Sequence, residues 1–144
     1  MTITPAKIVV ALSHDELTPD AAPLRFAVEN LGAGATIHIV HVIETPGGLR
    51  EYLGPDFHAH MNDKVEARLP TLRAWATSQT PPVEIELRYG SIYREVLAQA
   101  KRLTATHIVI GSHSETLSDF LLGTNAAKIV RHAECSVTVL RGGV

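Results

Sequence analysis

The sequence predicts an α/β fold in which a parallel sheet is covered by helices on both faces. Short apolar runs such as Lys7–Leu12 (KIVVAL) alternate along the chain with segments whose apolar residues recur at helical spacing. Continuous apolar runs are typical of parallel strands that are buried on both faces. Regular alternation of strands with helices indicates one wrapped sheet.

The first half of the chain gives the elements in order. A hydroxyl, a proline and an acidic residue at Thr18–Asp20 predict the start of the first helix, which Gly32 ends. The second strand is expected at Thr36–Ile43. Many glycines and prolines in Glu44–Asp56 then predict an irregular loop. A second helix follows, which we expect Pro70 to kink.

The third strand is the only one with strict alternation of apolar and polar residues. Val83, Ile85, Leu87 and Tyr89 alternate with charged residues, which predicts a half-exposed strand at or near a sheet edge. Ser91 can cap a third helix whose apolar residues are Ile92, Val96, Ala100 and Leu103. The remaining elements are a strand at His107–Ile110, a helix at Thr124–His132 and a strand at Ser136–Leu140.

Composition restricts the class of protein. The 144 residues fit one domain, residues 1–144, and a net charge of −2 gives no general field for nucleic acid or an anionic membrane. No apolar run approaches the roughly 18 residues that span a bilayer. The first residues lack the features of a signal peptide, and the single cysteine, Cys135, excludes an intrachain disulfide. We therefore expect a cytoplasmic protein.

Two glycine turns carry the functional signal. Gly111 follows the apolar strand that ends at Ile110, at the edge where open α/β sheets bind ligands. Twelve residues later, Gly123 and Thr124 open a helix, where free N–H groups and the helix dipole favour an anion. Taken singly, Gly111 could only form a tight turn and Thr124 could only cap a helix. Together they favour a phosphate-binding cradle, in which His113 is a candidate hydrogen-bond donor to phosphate or an orienting residue.

The same segment carries a family resemblance. Residues 111–141, GSHSETLSDFLLGTNAAKIVRHAECSVTVLR, resemble the C-terminal motif of the universal stress proteins, and the phrase LLGTNAAKIVRHAECSVTVLR is most similar to the F- and G-type subgroup. The resemblance implies a three-layer sandwich with a Rossmann-like, five-stranded parallel sheet in the order 3-2-1-4-5. It also implies a homodimer that binds ATP, with or without Mg²⁺.

The resemblance also implies a set of ligand contacts. The base and ribose would meet Ala11, Leu12 and Ser13, while the backbone of Val42 would face adenine. The sugar and phosphates would be bordered by Ile110, Gly111, His113 and Ser114, and enclosed by Gly123, Thr124, Asn125 and Ala126. Thr124 and Asp15 are the candidates to orient a metal ion.

Two positions depart from the family pattern. The second glycine of the motif is Ser114, and eight residues separate it from Gly123 where the ATP-binding members have nine. The aspartate that follows the first strand in ATP-binding relatives is replaced by Ser13. Asp15 could take over that role, or it could be a solvated acid in the loop.

Three functions remain open from the sequence. The first is a nucleotide-binding regulator, the second a slow ATPase, and the third a homodimeric module without nucleotide. The chain has no SGGxDS, HxGH or P-loop motif, so nothing in it is built for turnover. His58 and His60 lack a third metal ligand at suitable spacing, and Cys135 lacks a clear activating neighbour.

The C-terminal strand has its own consequence. The run SVTVLR is apolar and, if it forms a sheet edge, leaves unpaired backbone groups exposed. Pairing with a second copy across a two-fold axis would remove this liability. The resemblance implies the same interface, so we expect a homodimer through this strand.

Overall fold

The computed structural model describes residues 4–44, 55–112 and 122–141. The strands are β1 (Ala6–Ala11), β2 (Ala35–Glu44), β3 (Glu84–Gly90), β4 (His107–Gly111) and β5 (Ser136–Leu140). The helices are α1 (Ala22–Phe26, continued by a π-helical segment at Ala27–Leu31), α2 (Pro55–Ser78), α3 (Ile92–Leu103) and α4 (Thr124–His132), and a short 3₁₀ turn covers His14–Glu16. His113 and Ser114 lie outside the described residues.

The five strands form one parallel sheet in the order β3-β2-β1-β4-β5. This arrangement confirms the predicted fold class and strand order. Strand β3 is an edge strand, and most of its residues are partly exposed, as its alternating pattern predicts. The other edge is β5.

The sheet separates two apolar cores. On one face, buried residues of α1 and α2 such as Leu24 and Leu72 pack against Ile39 of β2. On the other face, Val96 of α3 and Ile129 of α4 pack in a second core. Successive side chains of a strand point to opposite faces, so each central strand contributes to both cores. Both faces of the sheet are therefore covered, as continuous apolar strands require.

The start of the first helix differs from the prediction. Helix α1 begins at Ala22, because Thr18–Asp20 forms a separate turn before it: the Ala21 N–H donates to the Thr18 carbonyl at 3.1 Å. The proline of the first helical turn is Pro23 rather than Pro19. Gly32 follows the last helical residue as predicted, while Gly34 (φ +71°) takes the left-handed conformation that favours glycine.

Other bounds shift by smaller amounts. Strand β1 ends one residue before the predicted Leu12, and β2 extends through Glu44. Helix α2 already begins at Pro55, so the predicted loop Glu44–Asp56 is too long at both ends. Helix α2 also continues through Pro70 to Ser78. The predicted bounds of α4 and β5 are those of the structure.

Helix α3 begins after Ser91 as predicted, but without the expected capping bond. Ser91 occupies the N-cap position, and its side chain accepts no hydrogen bond from the helix. Its carbonyl accepts the Glu95 N–H at 3.0 Å, which closes the first turn.

In the parts of the chain that the structure describes, no helix combines the length and the apolar character that a membrane span requires.

Candidate functional site

A crevice opens at the carboxyl edge of the sheet between β1 and β4. The two strands pair only as far as Val10 and Val109. Strand β1 stays paired with β2 through Ala11, and β4 stays paired with β5 through Gly111. The chain then leaves β1 toward α1 on one face and β4 toward α4 on the other. Such a switch point is where open α/β sheets bind ligands.

The start of α4 lies at the end of β4. The Gly123 N–H donates to the Ser112 carbonyl at 3.4 Å, which brings together the two glycine turns recognised in the sequence. Gly123 is the N-cap residue, and its carbonyl accepts the Ala127 N–H at 2.9 Å. Because glycine has no side chain, it cannot cap the N–H groups of the first turn.

This uncapped turn is suited to an anion. The N–H groups of Thr124, Asn125 and Ala126 precede the first intrahelical hydrogen bond, and the positive end of the helix dipole lies behind them. Thr124 is exposed, whereas Gly123 and Ala126 are buried. The arrangement can bind a phosphate through backbone groups alone.

The side chain of Asn125 has a structural partner. Its Oδ1 accepts the backbone N–H of Tyr93 at 3.3 Å, so it supplies to α3 the cap that Ser91 does not provide. What Asn125 can still offer to a ligand is its backbone N–H and the amide nitrogen Nδ2, since only Oδ1 is engaged. This contact was not apparent in the sequence, since 32 positions separate the two residues.

Most backbone polar groups of the loop after β1 have partners within the protein. The Leu12 N–H donates to the Val40 carbonyl at 3.0 Å, and the Leu12 carbonyl lies 2.8 Å from Nδ1 of His41. The Ser13 N–H donates to Oε1 of Glu16 at 3.0 Å, and the Glu16 N–H donates to the Ser13 carbonyl at 3.0 Å. Only Oγ of Ser13 is buried without a hydrogen-bond partner among the residues described.

Asp15 belongs to an ion-pair network with α2. Its Oδ1 lies 3.2 Å from Nε2 of His14 and 3.8 Å from Nη1 of Arg68, and Arg68 also donates to the His14 carbonyl. The Asp15 side chain is 51% exposed. These contacts favour the loop-acid alternative over the role of the missing family aspartate.

Several expected contact residues can face a ligand only through their main chain. The side chains of Val42, Ile110 and Ala126 belong to the core under α3 and α4, and Ala11 packs against it. Leu12 is buried in the opposite core. Core packing and a backbone contact are compatible, as the sequence predicted for Val42 and Ile110.

Two cations lie on the surface near the start of α4, Lys128 on α4 itself and Arg94 on α3. Lys128 places Nζ 4.6 Å from the ring centroid of Tyr93, and Arg94 donates from Nε to the Tyr93 hydroxyl at 2.9 Å. This hydrogen bond is the main reason why the pKa of Tyr93 is lowered. Both cations add positive potential near the uncapped end of α4.

The described residues include no group of three His, Cys, Asp or Glu side chains that could hold a metal. Burial raises the pKa of Cys135, so the thiol form is favoured. This agrees with the inert, structural interpretation of that residue.

Two cavities lie away from the crevice. One of about 250 Å³ includes Glu84 at the start of β3 and Leu103 at the end of α3. The other, of about 240 Å³, includes Ala105 before β4 and Cys135 before β5. Both lie toward the amino ends of the strands, and neither includes an expected ligand contact.

Residues 5–141 match the universal stress protein family. The chain belongs to this family. Universal stress protein G of Shigella flexneri is 34% identical over 109 residues, which cover 73% of this chain and 77% of that protein. The similarity is consistent with the subgroup indicated by the C-terminal motif.

Solved structures show the same fold at low sequence identity. A universal stress protein from Lactobacillus plantarum is 17% identical, with a TM-score of 0.64 and coverage of 97% of this chain and 100% of that one. A family protein from Arabidopsis thaliana with AMP bound is 20% identical (TM-score 0.58; 94% and 91% covered). One from Archaeoglobus fulgidus in complex with dAMP is 17% identical (TM-score 0.57; 96% and 100% covered).

Proposed function

We propose that the protein binds an adenine nucleotide, ATP with or without Mg²⁺, in the crevice between β1 and β4, and that it acts as a nucleotide-dependent regulator in stress responses. The observation that carries this proposal is the N-terminus of α4, whose first N–H groups have no capping side chain among the described residues. The Gly123–Ser112 hydrogen bond joins this end of the helix to the end of β4. It offers backbone donors to a phosphate at the switch point of the sheet.

We propose adenine rather than another base because two proteins with this fold have adenine nucleotides bound. The Arabidopsis protein holds AMP and the Archaeoglobus protein holds dAMP, both on this fold. Just after β1, Oγ of Ser13 is buried and has no hydrogen-bond partner among the described residues. A hydroxyl can donate or accept, so it suits either a ribose hydroxyl or a ring nitrogen.

The phosphates would lie against the first turn of α4, where the N–H groups of Thr124, Asn125 and Ala126 are free of intrahelical acceptors. A Mg²⁺ ion would bind together with the phosphates. Mg²⁺ prefers oxygen ligands, so the hydroxyl of the exposed Thr124 is the protein group that we propose to orient it. Asp15 is less suited, because its carboxylate already contacts Arg68 and His14.

A cytoplasmic location belongs to the proposal, since the single cysteine is not required to pair.

Substitution of Gly123 tests the site directly. Gly123→Val places two methyl groups where the phosphate would approach, while the backbone angles of Gly123 (φ −59°, ψ 155°) are open to valine. We expect calorimetric ATP binding to disappear while the far-UV circular dichroism spectrum stays that of the folded protein. Because Gly123 is buried, we expect some loss of melting temperature. Ala127→Val is the matched control, because it adds the same β-branched side chain at an exposed position one turn later.

The outcomes separate the alternatives. Native mass spectrometry of the freshly purified protein should show bound adenine nucleotide, and titration with and without EDTA should show the contribution of Mg²⁺. Full ATP affinity in Gly123→Val would mean that the phosphates bind elsewhere. Steady phosphate release would favour the slow ATPase.

A nucleotide-free module is the second candidate, and the specific observation in its favour is Ser13 in place of the family's aspartate. If the wild-type protein carries no nucleotide and binds none at millimolar ATP, this candidate replaces the first. In either case we propose a homodimer through β5, a strand at the sheet edge.

A further inference from the structure

The carbonyl of Leu12 leaves the regular hydrogen-bond ladder between β1 and β2. In a parallel pair, a residue whose N–H donates to one partner residue normally accepts with its carbonyl from the residue two positions further along. The Leu12 N–H donates to the Val40 carbonyl at 3.0 Å, so its carbonyl would be expected to accept from Val42. Instead, Nδ1 of His41 donates a hydrogen bond to the Leu12 carbonyl at 2.8 Å.

The direction of this hydrogen bond fixes the state of the ring. A carbonyl only accepts, so Nδ1 of His41 must carry the proton. His41 is 4% exposed, and burial lowers its pKa from the ordinary value of 6.5, so the neutral ring is favoured. His41 thus acts as a fixed donor from the face of the sheet that carries α1 and α2.

The hydrogen bond between His41 and Leu12 affects the main chain of Val42. Main-chain groups of a strand alternate in direction with a period of two, so Val42 points its N–H and carbonyl to the same side as Val40. That side is the line of β1, but β1 ends at Ala11. Among the backbone hydrogen bonds of the described residues, none joins Val42 to Leu12. The polar groups of Val42 therefore face the space beyond the end of β1.

We propose that His41 is a positioning residue for the ligand site: by holding the Leu12 carbonyl, it stops the ladder from closing and keeps the main-chain N–H and carbonyl of Val42 available to the base of a bound nucleotide. The inference rests on the proposed nucleotide function. In this proposal His41 acts through the Leu12 carbonyl and is not itself a ligand contact.

Two substitutions of His41 separate this role from simple support of the fold. His41→Leu removes the donor and fills the buried position with an apolar side chain. His41→Asn places an amide nitrogen near the position of Nδ1 and so can still donate to Leu12. If the donor is what matters, the asparagine variant should behave like the wild-type protein and the leucine variant should not.

The first measurement uses the protein without nucleotide. Amide hydrogen exchange followed by NMR should show a rapidly exchanging Val42 N–H in the wild-type protein and in His41→Asn. In His41→Leu the freed Leu12 carbonyl should accept the Val42 N–H and slow its exchange. A Val42 amide already protected in the wild-type protein, or unchanged in His41→Leu, would overturn the proposed role.

The second measurement is ATP affinity by calorimetry. Loss of one main-chain contact with the base should weaken binding roughly tenfold in His41→Leu. Binding in His41→Asn should stay close to that of the wild-type protein. Equal affinity in His41→Leu and wild type would overturn the link between His41 and the ligand. A wild-type protein that binds no ATP would instead overturn the proposed function, and the exchange of Val42 would still decide whether His41 controls the ladder.

Discussion

At the scale of single residues, two histidines show how burial decides the behaviour of a titratable group. His38 and His41 lie on opposite faces of β2, as their spacing predicts. Burial is the largest cause of the lowered pKa of each ring, and Glu84 partly opposes it at His38. His14 adds a further lowering at His41. Both rings are therefore favoured in their neutral form.

The lowered pKa values predict how stability depends on pH. A histidine whose folded pKa lies below the ordinary 6.5 is protonated first in the unfolded chain, so stability is full above that pH and falls as the pH drops toward the folded pKa. We expect His41→Asn to be less sensitive to acid than the wild-type protein. For one proton the difference in slope is at most about 1.4 kcal/mol per pH unit.

Urea unfolding at several pH values between 7.5 and 5 measures this slope. His38→Gln is the matched control on the same strand, because it removes the other histidine whose pKa is lowered. Its amide can still reach the Thr36 hydroxyl, which His38 contacts at 3.0 Å. Each variant should remove its own part of the acid sensitivity. An unchanged pH profile in His41→Asn would show that His41 titrates alike in the folded and unfolded chains.

At the scale of elements, the N-termini of α3 and α4 are connected. Asn125, in the first turn of α4, accepts the Tyr93 N–H in the first turn of α3 at 3.3 Å. One side chain thus caps a helix that its own N-cap, Ser91, leaves without a side-chain bond. The connection fixes the position of the α4 N-terminus, where we place the phosphates, against a helix that is packed on the sheet.

Removal of this cap should affect stability more than binding. Asn125→Ala is expected to lower the free energy of unfolding by about 1 kcal/mol, the usual cost of losing a capping side chain. ATP affinity should fall little, because the backbone N–H of residue 125 remains. Asn125→Asp keeps an acceptor oxygen and should retain the stability. A large loss of affinity with unchanged stability would show instead that the side chain contacts the ligand.

At the scale of the whole molecule, the two edges of the sheet differ. The edge strand β3 carries charges at Glu84, Glu86 and Arg88, which discourage pairing with another strand. The edge strand β5 carries no charge from Ser136 to Leu140. This asymmetry supports our proposal that two copies of the chain pair through β5.

Val139 offers a test of the dimer. The Ser112 N–H donates to the Leu140 carbonyl at 2.8 Å, so Leu140 points its main-chain groups toward β4 and Val139 points its own outward. Val139→Pro should remove an outward donor without breaking the ladder with β4, and so produce a monomer. Val139→Ala removes the side chain but keeps the N–H, and should remain a dimer. Light scattering at micromolar concentration measures both, and a monomeric wild-type protein would contradict the proposal.

Local signals in the sequence were sufficient for much of the architecture. The apolar runs determined the strands, and the alternation in β3 determined its place at an edge. The glycines at 111 and 123 indicated the candidate site, because a backbone approach requires the absence of a side chain. The first helix was placed too early, since the local hydrogen bonds of Thr18 compete with its use as a cap.

Only the tertiary structure decided which polar groups at the site are already paired. Three contacts join residues that are far apart in sequence: Asn125 with Tyr93, Asp15 with Arg68 and His41 with Leu12. No local pattern in the sequence indicates such partners. The sequence determined where backbone donors could meet an anion, because conformational freedom and periodicity are local properties. Packing of distant elements determined which donors and acceptors remain for a ligand, because a hydrogen-bonding group that the fold has already satisfied is no longer available.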